Sequence, residues 1–201
     1  MAMAVQTLAA NPSLCSVEKE LLLAEDTSKQ IIDGMSSSQA NWRPDGGRSW
    51  SIVQCLSHLA RMNRTYAAAI HDALNSPNVP KLNAPCVISP GWFAAKFIRS
   101  MEPPVRTKMK APATVRPLDQ SDPLQALDDF VLSHQPLRAV IQGAEGIDLN
   151  RLRFKNPFIP LLRWTVGTGL LVINAHDRRH LWQANCIKQA PGFPQPHEQH
   201  R

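Results

Sequence analysis

The chain has no apolar run near the roughly 20 residues that cross a bilayer, so no membrane-spanning helix is expected. Its first ten residues, Met1 to Ala10, carry no basic opening and only a weak apolar stretch. That argues against a secretory signal and makes the cytoplasm the expected location. Cysteine is sparse. Cys15, Cys55, Cys86 and Cys186 form no C-x-x-C pair, and their even number alone does not argue for disulfides in a chain this long. Cys15, Cys55 and Cys186 fall in helical patterns and are expected to be buried small hydrophobes. Absent too are a phosphate-binding glycine loop and a nucleophile elbow with Ser-His-Asp order, which excludes the chemistries built on them. The net charge of +6 is moderate. Lys96, Arg99, Arg106, Lys108, Lys110 and Arg116 supply part of it, without interleaved aromatics or a groove-reading helix. A solvated face is the reading, and neither nucleic acid nor membrane is an expected partner.

What is present fits a soluble globular chain. Its 201 residues, 43% hydrophobic and 19% charged, suit one domain with a substantial core. Nine glycines and 17 prolines suggest long helices broken at defined points. Residues 1–11 read as an N-terminal extension, 12–190 as the domain and 191–201 as a frayed tail. The first helix is expected to begin at Asn11-Pro12, with Asn as the cap. Leu14, Val17, Leu21, Ala24, Ser28, Ile31 and Met35 then recur at spacings of three and four, and the helix runs out at Ser36–Ser38. After a turn-rich stretch, Ser51 and Gln54 have capping-box spacing. The second helix extends to about Asn75, with His58 at the edge of its buried face.

Residues 76–119 form a long connection that eight prolines keep from being one helix. Within it, 91–100 can form a short amphipathic helix whose Trp92, Phe93 and Phe97 would serve as a structural cover or as a lid over a site. Asp122-Pro123 opens the third helix, where Pro136 predicts a kink and His134 reads as a surface or locally bonded histidine. The fourth helix is expected from about Leu161 to Gln189. No alternating strand pattern and no internal repeat are evident. The result is an all-α four-helix bundle with a long proline-rich connection containing a short extra helix.

His176 and His180 lie four residues apart in the fourth helix and share a stripe with Gly169, Ile173 and Ile187. Two imidazoles so placed can grip one metal ion, and His58 is the best candidate for a third ligand. Spacing alone leaves other readings open. Histidine pairs of this kind also sit on wet surfaces, and a lone histidine beside a helix core is usually structural. His71 is rotated away from His58 and should not join the site. Asp177 could orient a ligand or pair with Arg61, Arg64 or Arg178. Gln183 could reach a bound molecule or be a partly buried helix amide, and at least one of Arg178 and Arg179 should face solvent.

Beyond spacing, the chain resembles the DinB/YfiT-like family of metal-binding four-helix bundles and thiol-dependent transferases. Trp42-Arg-Pro, Trp50-Ser-Ile-Val-Gln-Cys-Leu-Ser-His-Leu59, Asn156-Pro-Phe and His176-Asp-Arg-Arg-His-Leu-Trp-Gln183 carry the resemblance, which covers about 12–190. It implies that His58, His176 and His180 jointly bind one divalent metal, with Zn, Ni or Fe suited to three imidazoles. It further implies a thiol-dependent S-transferase, or a hydrolase, acting on a small-molecule substrate with a low-molecular-weight thiol as cosubstrate. The alternative is a non-catalytic, metal-stabilised or small-molecule-binding bundle connected with stress. A homodimer is the expected assembly.

Overall fold

The computed structural model describes residues 12–105, 111–117 and 120–195. Four long helices dominate: α1 (Leu14–Ile32), α4 (Ile52–Leu74), α6 (Pro123–Gly143) and α7 (Val166–Lys188). Shorter helices α2 (Ser37–Asn41), α3 (Pro44–Gly47) and α5 (Trp92–Met101), and a 3-10 turn at Ala113–Val115, lie in the connections.

Local chemistry sets the helix starts. Ser51 caps α4 in a capping box with Gln54, as its spacing predicts. Asp122 caps α6 through the amides of Leu124 and Gln125, with Pro123 in the first turn. The cap of α1 is Ser13, not Asn11. Ser13 and Ser16 form a reciprocal box, which satisfies amides that a proline-led start would leave open. Asn11 itself lies outside the described residues. The first helix also stops earlier than expected, at Ile32, and Ser36 caps the separate helix α2. Helix α6 runs through Pro136 without dividing.

Around the bundle, α4 packs on α6 and α7, and α1 packs on the same two helices. That leaves α1 diagonal to α4 and α6 diagonal to α7. Both diagonal connections carry extra structure: α2 and α3 in the first, a small antiparallel hairpin in the second. The hairpin corrects the expectation of no strands. Its β1 (Arg153–Lys155) and β2 (Arg163–Thr165) pair with Phe154 opposite Trp164. Consequently α7 starts at Val166, not near Leu161. The segment leading into the hairpin also finishes the start of that helix, since Val166 N–H donates to the Leu152 carbonyl and Gly167 N–H to that of Leu149. Asn156 holds the hairpin turn: its side-chain oxygen accepts from the amides of Phe158 and Ile159, while its NH2 donates to the Tyr66 hydroxyl.

The core falls into two apolar layers. One holds Leu21, Ile70, Leu137, Phe154 and Leu170. The other holds Ile31, Ile52, Leu56, Phe130 and Leu181. Between them each long helix contributes buried polar side chains: Glu25, Asn63, His134 and Asp177. The cysteines correct the expectation of burial, for Cys15 and Cys186 are exposed and only Cys55 of the three is buried.

Candidate metal centre

His58 sits in the second turn of α4, and His176 and His180 lie one turn apart on the facing stretch of α7. The structure brings the three rings together, with centroids 4.6 to 5.0 Å apart pairwise. One ligand nitrogen from each lies within 4.8 Å of the other two. His58 and His180 are buried and His176 is partly exposed. Trp50, just ahead of the α4 cap, stacks on His180 at 5.5 Å and lies 4.8 Å from the His58 ring.

Two of the three tautomers are set by neighbours. His58 Nδ1 lies 2.6 Å from the Val115 carbonyl, which can only accept, so Nδ1 carries the proton and Nε2 keeps its lone pair. His180 Nδ1 donates likewise to Gln183 Oε1 at 2.9 Å. His176 Nδ1 is buried without a hydrogen-bond partner. Its Nε2 faces His58 Nε2 at 3.3 Å.

Burial holds all three rings neutral. It lowers the pKa of His58, with Arg61 adding to the effect against the opposing Val115 bond and Asp177. It takes His176 well below the ordinary value, with His180, His58 and Arg179 each disfavouring a further proton there. Burial, with His58 and Arg179, brings His180 down to about 3. Neutral imidazole is the ligating form. A zinc–nitrogen bond of about 2.0–2.1 Å at a tetrahedral angle separates two donors by about 3.3 Å, the spacing His58 and His176 already have. The residues therefore fit a divalent ion. Among the described residues no cysteine or carboxylate joins them, so such an ion would keep its full charge.

Other residues fall differently from expectation. His134 is fully buried, bridging Glu25 at 2.9 Å and Asp177 at 3.3 Å, because those carboxylates supply the partners a buried imidazole needs. Asp177 pairs with none of the arginines considered; it takes Asn63 and His134 instead. Arg178 is occupied by Glu20 and Glu102, and Arg179 is buried, so neither faces open solvent. Gln183 reaches the His180 ring. His71 is exposed beside Asn75, away from the site. The connection 76–119 does touch the centre, through Val115 and not through the aromatics of α5. Trp92 is 78% exposed, while Phe93 and Phe97 pack on Trp164. A backbone carbonyl carries no side-chain signal, and sequence reasoning could not find Val115.

Comparison with known proteins agrees with the bundle fold. The family model of the DinB superfamily matches residues 20–184. The fold is similar to that of YfiT from Bacillus subtilis, described as "a probable metal-dependent hydrolase with an unusual four-helix bundle topology". The TM-score is 0.55 at 15% identity, covering 94% of each chain. No curated protein matches.

Proposed function

The chain belongs to the DinB superfamily, and from that premise we propose a divalent-metal-dependent enzyme. His58, His176 and His180 would hold one ion, and the reaction would be a thiol-dependent S-transfer or a hydrolysis on a small molecule. The observation that carries the reading is the convergence of three neutral imidazoles with two ring tautomers fixed from outside. The description of the YfiT structure as a probable metal-dependent hydrolase supports the hydrolytic arm. Membership in a family that includes thiol-dependent transferases supports the other.

When bound, the ion supplies a Lewis acid that acidifies a water or a thiol toward neutral pH. The protein's part is positional. Val115 and Gln183 keep two lone pairs aimed inward, and Trp50 covers the rings from one side and excludes water there. The partly exposed His176 marks the open side.

The deep burial of His58 and His180 favours a second reading, a bundle that the metal stabilises without turnover. His176→Ala separates the two. An enzyme loses activity and keeps its fold, whereas a structural metal makes the substitution unfold the chain. The first experiment is metal content by mass spectrometry on untagged protein, beside a His58→Ala/His180→Ala variant. About one ion per chain, lost in the variant, supports the centre. No ion even after reconstitution overturns it.

A further inference from the structure

Glu25, His134, Arg138, Asn63 and Asp177 form a connected set at the middle of the bundle, with at least one member from each long helix. Both ring nitrogens of His134 face carboxylate oxygens, so both carry protons and the ring is a cation. Arg138 donates to the same Glu25 oxygen at 2.8 Å. Asn63 NH2 donates to the other Asp177 oxygen at 3.2 Å. Two carboxylates against one imidazolium and one guanidinium leave no net charge in the layer.

We propose that His134 is a positioning residue for the metal centre: by bridging Glu25 and Asp177 it sets the register of α7 against α4, and so the placement of His176 beside His58. The inference rests on the metal-centre reading above.

Two observations carry it. First, Asp177 directly follows His176, and Asn63 lies five residues after His58. The Asn63–Asp177 hydrogen bond therefore ties together the same two helices that would present the ligands, next to His176 and roughly one and a half turns from His58. Second, the layer lies between two apolar clusters, where its directional hydrogen bonds, unlike apolar contacts, specify one partner atom each. Buried charge pairs are weak stabilisers compared with apolar packing, and their best-attested use is to fix register. Helices α1 and α6 carry no ligand, yet through Glu25 and His134 they hold the ligand-bearing helix at one residue's remove.

The test uses Co²⁺ as probe on the full chain, read by titration and by the visible absorption of the bound ion. Asp177→Asn and His134→Phe are expected to weaken binding roughly 10–100-fold and to change the absorption bands. Val140→Ala, in the apolar core of α6, serves as the stability control. It should lower the melting temperature while leaving the spectrum unchanged and affinity within about twofold. Should His134→Phe fail to fold, Asn63→Ala removes the bond to Asp177, together with a longer one to Ser133 on α6, and decides the matter by the same readouts. Folded variants with wild-type affinity and spectrum would overturn the inference and leave the network a structural one. Failure of the wild-type chain to bind Co²⁺ would overturn the metal-centre reading first, and this inference with it.

Discussion

Gln183 touches His180 through a single 2.9 Å hydrogen bond, and that bond decides which ring nitrogen is available. Gln183→Leu keeps the volume and removes the acceptor. We expect metal affinity to fall about 10–100-fold, with melting of the metal-free chain little changed; isothermal titration measures the first and calorimetry the second. His134 gives a different residue-level outcome. Burial alone would push its pKa down, but the hydrogen bonds to Asp177 and Glu25 overcome it and carry the value up to about 9. A raised native pKa stabilises fully below the unfolded value of 6.5 and is lost as pH rises through the native one. The urea midpoint of chelator-treated protein should therefore fall between about pH 7 and pH 10, and His134→Phe should flatten that slope. Glu25 works in the opposite sense. Burial raises its pKa, but His134 and Arg138 outweigh that and hold it below the ordinary value. Its contribution is present above 4.5 and lost as pH falls through the lowered native value.

Among the elements, α7 is held by close packing at its glycines. A β-carbon on Gly169 would stand 2.6 Å from the Phe154 ring, so the hairpin lies against the helix where only glycine fits. Gly169→Ala should cost about 1–3 kcal/mol by overpacking, offset in part by the better helix propensity of alanine. Relief by Phe154→Ala in a double-mutant cycle would locate the strain, and a coupling energy near zero would refute it. Helix positions were readable because their signals are local: the Ser51–Gln54 box and the three-and-four spacing along α1. The hairpin was not. Its strands are three residues each, too short for alternation to rise above chance. His134 was misread for a related reason. Its partners lie 109 and 43 residues away, and no window of sequence contains them.

For the whole molecule, the histidines that meet at the candidate centre were legible because two sit one helical turn apart and the third follows a recognisable cap. Which other groups enclose them depended on how four helices close around each other. If the closed bundle binds an ion only when folded, binding and folding are linked. At a free-ion concentration about 100 times the dissociation constant, linkage adds roughly 2.7 kcal/mol, or about 5–11 °C in melting temperature for a chain of this size. A thermal scan with and without Zn²⁺ measures it. The shift should vanish in His58→Ala/His180→Ala.

The charge-balanced layer also bears on how such a sequence can drift over time. Replacing Glu25 alone leaves the buried cationic ring one carboxylate short and takes the partner from the half-buried Arg138, and replacing Asp177 alone strands the ring from the other side. Single steps away from this set are therefore selected against, while paired steps are tolerated. Across diverging lineages, positions 25, 134, 138 and 177 should be inherited or exchanged as a block, whereas the apolar positions above and below them substitute one at a time.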